Sequence, residues 1–76
     1  MKELLELIAK NLVDDIDAVS VSEITGERST ILELKVASDD MGKVIGKQGR
    51  IAKAIRTVVK AAAMHEDKHV VVEIMQ

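Results

Sequence analysis

Residues 44–50 read V-I-G-K-Q-G-R: two glycines enclose a lysine and a glutamine, an apolar pair leads in and an arginine follows. Glycine is favoured where the backbone must become left-handed, as at the end of one helix or the entry to the next. The stretch therefore predicts a glycine-bounded turn between two helices. Turn geometry explains both glycines, but it does not explain why the residues between and after them are Lys47, Gln48 and Arg50.

Apolar periodicity assigns the segments on either side of this turn. The predicted elements are, in order, a helix over 2–13, strands over 18–24 and 30–37, a short helix that takes its N-cap and first turn from residues 38–40 and ends near 45, a helix over 50–64 and a strand over 70–75. The short connection between the first two strands predicts an antiparallel hairpin. The helical crossover predicts parallel pairing of the second and third strands, if they are neighbours.

Length and composition indicate one small domain over 1–76, because a chain of 76 residues buries only about 60% of its unfolded surface. Because so little surface is buried within one chain, we expect association with another chain. The absence of cysteine is typical of a reducing compartment. The N-terminus carries Glu3 and Glu6 and lacks the apolar run of a secretory signal, so we expect a cytoplasmic protein with no membrane partner.

Charge is distributed unevenly along the chain, although the net charge is only −2. No acidic residue lies between Asp40 and Glu66, and the remainder of the chain holds all thirteen acids. The basic residues in that window are Lys43, Lys47, Arg50, Lys53, Arg56 and Lys60. A locally basic element in an acidic protein predicts an anionic partner for that element, with an ordinary solvated helix face as the alternative.

The long helix has an apolar arc of roughly 200°, wider than the ~100° that a surface helix needs. Its predicted centre is formed by Ile51, Ile55, Val58 and Ala62. Alanine at the shoulders of the arc can simply reflect helix propensity. The alternative is a second packing surface for a copy of the chain or another protein, for which Ile55, Val58 and Ala62 are the predicted contacts.

The turn also suits a phosphodiester, because the following helix contributes its positive end and Lys47 and Arg50 add charge. In this context V-I-G-K-Q-G-R-I-A-K-A-I resembles the core of a KH domain, whose G-x-x-G loop holds a short run of nucleotides. The element order is similar to the type II version. The whole chain most resembles the small single-domain bacterial KH proteins of the KhpA (YlqC-like) family. This resemblance implies an α+β fold, with three helices packed on one side of a three-stranded mixed sheet.

The resemblance further implies that the Gly46–Gly49 loop contacts the backbone of single-stranded RNA. Ile45 and the first turns of the long helix would form one groove wall; the end of the 30–37 strand and its neighbour would form the other. One departure affects this wall: Ala52 stands where many KH domains carry a branched aliphatic residue. The predicted RNA-binding residues are Lys43, Ile45, Gly46, Lys47, Gln48, Gly49, Arg50 and Lys53.

The implied function is non-catalytic RNA binding, as a post-transcriptional regulator or RNA chaperone. The implied partners, besides RNA, are a second copy of the chain or a larger KH-containing protein of the Jag type. The alternative is a protein-interaction module for which RNA contact is secondary. Salt-dependent RNA binding at the loop would favour the first function. Association that survives loop mutation but fails on a charge placed at Ile55, Val58 or Ala62 would favour the second.

Two motifs resemble catalytic sites without meeting their requirements. Residues 42–48 are one residue short of a phosphate-binding P-loop and have Gln48 in place of its hydroxyl. Residues 65–69 match H-E-x-x-H, but they fall where a helix is predicted to give way to a strand, whereas a zinc protease needs both histidines on one helical face. We therefore expect no enzymatic activity, cofactor, metal or small-molecule substrate.

Overall fold

A computed structural model describes residues 1–75, and its elements follow the order α-β-β-α-α-β. The last residue of the predicted domain, Gln76, lies outside the described residues. The elements are α1 (Lys2–Leu12), β1 (Ser20–Thr25), β2 (Thr30–Lys35), α2 (Met41–Ile45), α3 (Arg50–His65) and β3 (Val70–Met75). Short 3-10 turns occupy Ile16–Ala18, Ser38–Asp40 and Lys47–Gly49. The predicted α+β class and element order are confirmed.

The sheet has the strand order β1-β2-β3, which makes β2 the central strand and leaves β1 and β3 at the edges. β1 pairs with β2 antiparallel, with Val21 opposite Leu34. β2 pairs with β3 parallel, with Leu32 opposite Val72. Both predicted pairings are confirmed, and the sheet is mixed because the hairpin and the helical crossover impose opposite strand directions.

The core lies between one face of the sheet and the helices. In β2 and just beyond it, Leu32, Leu34 and Val36 are buried while Lys35 is exposed, as the alternating pattern predicts. The helices supply the facing side chains Leu5, Ala9, Val44, Ile55, Val59 and Ala63. Each fully buried Val or Leu contributes about 1.5–3 kcal/mol by burial. No helix within residues 1–75 is both long enough and apolar enough to cross a bilayer.

The core face of α3 does not coincide with the centre of its predicted apolar arc. Its buried residues are Ala52, Ile55, Val59 and Ala63, whereas Val58, placed at the centre of the predicted face, is 49% exposed. At 100° per residue the observed face is rotated by about 70° from the predicted one. The centre of the arc does not mark the core face, because alanines on both shoulders make the arc wider than the face that packs on the sheet. Packing against the sheet selects the side on which small residues allow close approach.

Candidate nucleic-acid interface

The loop between α2 and α3 is a tight turn with three left-handed residues. α2 ends where the N–H of Gly46 donates to the carbonyl of Gly42 over 2.8 Å. Gly46 and Gly49 have φ values of 74° and 72°, and Gln48 has a φ of 58°. The N–H of Gly49 donates back to the carbonyl of Gly46 over 3.3 Å, which closes a 3-10 turn. The predicted turn between two helices is therefore confirmed.

The two glycines serve different purposes. A Cβ at Gly46 would lie 2.5 Å from Cγ1 of Ile51, so this glycine lets α3 pack against the end of α2. A Cβ at Gly49 would meet nothing within 4 Å, so only its left-handed backbone favours glycine there. The loop surface above Gly49 is consequently open to a ligand.

The tip of the loop presents two adjacent N–H groups. Within residues 1–75, the N–H groups of Lys47 and Gln48 have no hydrogen-bond partner, whereas those of Gly49 and Arg50 are used inside the turn. Lys47 and Gln48 are both exposed, and Gln48 holds a conformation that is uncommon outside glycine. Successive free N–H groups in such a turn form a concavity that binds anions.

Cationic side chains extend from the loop along α3. Lys47 and Arg50 are exposed and take part in no ion pair among the described residues. Three further exposed cations lie on one side of α3, because their spacing of three and four residues is that of one helical face. We call Lys53, Arg56 and Lys60 the basic flank.

The basic flank borders the free edge of the sheet. Nε of Arg56 donates to the carbonyl oxygen of Val72 over 3.3 Å, which ties α3 to β3. A shallow cleft of about 260 Å³ lies beside this contact, lined by Arg56, Lys60 and residues 69–72. Because β2 is paired on both sides, only its neighbour β3 offers an open edge to a ligand on this side. Of the strand at residues 30–37 and its neighbour β3, β3 is the one with an unpaired edge on this side, and their role as a groove wall stays a prediction.

Lys43 is placed differently from the other predicted cations. Its ammonium group donates to Oδ1 of Asp40 over 3.2 Å and to Oδ2 of Asp14. The hydrogen bond to Asp14, followed by the one to Asp40, raises the pKa of Lys43 above its usual value. Lys43 is thus neutralised within the chain, and the structure does not group it with the free cations of the loop.

The buried carboxylate of Asp40 has no counterpart in the sequence prediction. Residues 38–40 were expected to supply the N-cap and first turn of the short helix, and Asp40 does stand at the N-cap position of α2. No side chain, however, makes a capping hydrogen bond to α2 or to the 3-10 turn before it. Asp40 is 2% exposed and instead accepts the N–H groups of Asp14 over 3.3 Å and Asp15 over 3.0 Å. The N–H of Asp15 is the main cause holding the pKa of Asp40 below its usual value, against the effect of desolvation. No local pattern points to a contact that spans 25 residues.

The apolar residues near the loop are partly accessible. Ile45, at the end of α2, is 36% exposed, so its side chain can meet a base. Ala52 is buried, whereas Ile51 is half-buried and packs on Gly46. The unusual alanine therefore lies in the core.

The opposite side of α3 forms an apolar groove with α1. We call Ile51, Ala54 and Val58 the apolar flank, and they face Ile8 and Leu12 across a groove of about 410 Å³. Among the predicted dimer contacts, Val58 lines the groove and Ala62 is half-buried. Ile55 is 3% exposed and forms the floor of the groove, so it belongs to the core.

The two motifs that resemble catalytic sites lie in unsuitable places. His65 is the last residue of α3 and His69 precedes β3, so the histidines do not share a helical face. Residues 42–48 run from α2 into the turn, with no strand leading directly into them. Within residues 1–75, no group of three His, Cys, Asp or Glu side chains is placed to hold a metal ion.

Two cations of the basic window, Arg56 and Lys60, were not among the predicted RNA-binding residues. In the structure both continue the row of exposed cations that begins at Lys53, at the spacing of one helical face. Ile45 and Arg50 flank the Gly46–Gly49 loop at the ends of α2 and α3, and Lys53 lies about a turn further along α3.

Comparison with known proteins identifies a family. The model of the KhpA/KhpB KH domain matches residues 2–74. The chain is 76% identical over 75 residues to a protein named RNA-binding protein KhpA from Clostridium acetobutylicum, covering 99% of this chain and 100% of that one. Its counterpart from Clostridium perfringens is 72% identical over the same shares, and that from Aquifex aeolicus is 50% identical, covering 100% of this chain and 96% of the relative. No solved structure gives a significant match.

Proposed function

The chain belongs to the KhpA/KhpB family of KH domains, and from this we propose that it binds single-stranded RNA through the Gly46–Gly49 loop. The observation that carries the proposal is the loop tip, where the unpaired N–H groups of Lys47 and Gln48 lie beside the free ammonium of Lys47. Relatives named as RNA-binding proteins support it.

Binding would begin with a phosphate at the loop tip. The N–H groups of Lys47 and Gln48 would donate to its oxygens, and the positive end of α3 would favour its charge. The basic flank would then follow the next phosphates, while Ile45 and the β3 edge would meet the bases. No reaction is required of any of these groups, so the proposed role is non-catalytic.

The affinity should be modest, because the chain lacks aromatic side chains on which bases could stack. Each stacked base can contribute about 1–3 kcal/mol, and this contribution is missing. We expect salt-sensitive binding with a Kd of roughly 10⁻⁴ to 10⁻⁶ M and little preference for sequence.

The test replaces the loop tip with acids. Lys47→Asp combined with Gln48→Asp puts two carboxylates where a phosphate should lie, and aspartate tolerates the left-handed backbone of residue 48. Fluorescence anisotropy of a labelled mixed-sequence single-stranded RNA, titrated at two salt concentrations, should detect a loss of affinity of about tenfold or more. The slope of log affinity against log salt should fall by about 0.7 for the lost cation.

A matched control has the same charge change elsewhere. Lys10→Asp combined with Asn11→Asp alters two adjacent exposed residues of α1 and lowers the net charge equally. Circular dichroism establishes that each variant is folded. If the α1 variant loses as much affinity as the loop variant, binding follows net charge alone and the loop is not the clamp.

A second candidate function, protein association, is favoured by the apolar groove between α1 and α3. The occupant would be a second copy of the chain or a larger KH-containing protein of the Jag type. A dimer would present two loops to one RNA strand, which raises affinity if both loops can engage. In the cytoplasm, such a protein would act as a post-transcriptional regulator or RNA chaperone.

A further inference from the structure

A buried polar anchor holds the start of α2. The carboxylate of Asp40 is almost sealed from water, and its oxygens accept the backbone N–H groups of Asp14 and Asp15. These N–H groups belong to the connection that follows α1, so one side chain links two segments that are far apart in sequence. Oδ1 of Asp40 also accepts the ammonium of Lys43, which completes a satisfied cluster.

The helix that this anchor holds, α2, is too short to be stable on its own. α2 has five residues, far fewer than the roughly 12–15 that an isolated helix needs even for marginal stability. Asp40 stands at its N-cap position but makes no capping hydrogen bond to it. The other attachments of α2 are Val44 in the core, Met41 packed against the core, the ion pair of Lys43 with Asp14, and the close approach of Gly46 to Ile51. Asp40 is thus the buried polar attachment of α2, at the end opposite the loop.

The same cluster keeps Lys43 from acting as a free cation. Its ammonium lies between Asp40 and Asp14, so its charge is already balanced. Lys47, four residues further on, has no ion pair among residues 1–75 and stands at the loop tip. Two lysines of the same basic window therefore have different environments.

We infer that Asp40 is a positioning residue of the RNA clamp: it fixes α2, and so the entry to the Gly46–Gly49 loop, and it retains Lys43 as its counter-ion. This inference rests on the proposed RNA binding. Asp40 itself makes no contact with RNA, and Lys43 contributes to the anchor rather than to phosphate binding.

Asp40→Asn tests the inference because positioning and simple electrostatics predict opposite signs. An amide has one acceptor oxygen, so one of the two backbone N–H groups would face another donor and the anchor would loosen. Removing a negative charge and releasing Lys43 should by themselves strengthen binding to a polyanion. We expect instead that fully folded Asp40→Asn binds RNA about threefold to tenfold more weakly, because fewer molecules hold the competent loop.

The neighbouring exposed residue provides the matched control. Asp39→Asn makes the same charge change one position away and should leave RNA affinity unchanged or raise it by up to about twofold. Amide NMR signals of Gly46 and Gly49 should shift and broaden in Asp40→Asn and remain in place in Asp39→Asn. Equal affinities and equal loop spectra for the two folded variants would overturn the inference.

A second pair of variants tests the inference if Asp40→Asn does not fold. Lys43→Gln keeps both backbone hydrogen bonds of Asp40 and should weaken RNA binding much less than Lys47→Gln. Equal losses for the two variants would refute the assignment of Lys43 to the anchor. The loop variant at residues 47 and 48 reports separately on the proposed function: if it binds as the natural chain does, RNA clamping fails, whereas the NMR comparison still tests the anchor.

Discussion

The two flanks of α3 show how one helix can present unlike surfaces on either side of a single core face. The basic flank lies against β3, where Arg56 reaches the carbonyl of Val72, and the apolar flank lies across from α1. Between them Ile55 and Val59 face the core. The neighbouring element decides what each flank can do, because β3 offers a polar edge and α1 offers apolar side chains.

The difference assigns the two candidate functions to different sides of the molecule. RNA would follow the basic flank from the loop, and a protein partner would cover the apolar flank. Substitutions in the two flanks should therefore affect different activities, and flank variants that affect both would contradict this separation. Arg50 lies outside the test, because it lines the apolar groove and is also a predicted RNA-binding residue.

The largest expected effect follows from neutralising the basic flank. Replacing Lys53, Arg56 and Lys60 together by glutamine removes three cations, and RNA affinity at moderate salt should fall about 100-fold. The salt slope should decrease by about 2, measured by anisotropy at several salt concentrations. A loss confined to Lys53→Gln alone would mean that RNA does not extend past the first turns of α3.

The next effect distinguishes the core face from the apolar flank by the same substitution at adjacent positions. Val59→Ala removes fully buried methyl groups and should lower the free energy of unfolding by about 2 kcal/mol. Val58→Ala, at a half-exposed position, should cost about 0.5 kcal/mol or less. Urea unfolding followed by circular dichroism measures both. Equal costs would show that Val58 is packed as a core residue and that the apolar flank is not a free surface.

The contrast between Val58 and Val59 also shows where sequence analysis succeeds. Strand β2 was assigned correctly because Leu32 and Leu34 alternate with charged residues, and such a pattern fixes which face is buried. In α3 the apolar arc is broad and bordered by alanine, so periodicity alone gives the helix but not its rotation. Only the packing partners determine the rotation.

The candidate site was also only partly predictable from the sequence: the loop was predicted and the Asp40 anchor was not. The loop at residues 46–49 follows from two glycines between helical segments, because left-handed backbone is a local property. The Asp40 anchor joins residues 25 and 26 positions apart, and no local rule relates them. For the same reason Lys43 could not be separated from the free cations by sequence.

A smaller effect is expected when the apolar flank is made acidic. Val58→Asp places a charge in the groove shared with α1 and should weaken self-association of the chain by about tenfold or more, since a buried unpaired charge opposes the interface. Sedimentation equilibrium over a range of concentrations measures this. Val71→Asp, the same change at a 39% exposed site on β3, is the control and should leave association unchanged. A monomeric natural chain, or equal losses in both variants, would contradict a dimer formed by this flank.

The smallest effect concerns stability against unfolding in acid, to which the Asp40 anchor should contribute and the two flanks should not. Because the folded pKa of Asp40 lies below its usual value of 3.8, its contribution to stability is complete above that pH and is lost as pH falls through the folded pKa. The pKa of Lys43 is raised above 10.5, so its contribution is present below that pH and is lost only as pH rises through the folded pKa.

Urea midpoints of the natural chain should therefore decline in acid, and those of Asp40→Asn should start lower at neutral pH and decline less steeply. In the Val58→Asp and basic-flank variants Asp40 is intact. Their urea midpoints should therefore decline in acid as steeply as those of the natural chain. If Asp40→Asn keeps the acid slope of the natural chain, other carboxylates control acid stability and the anchor contributes little to it.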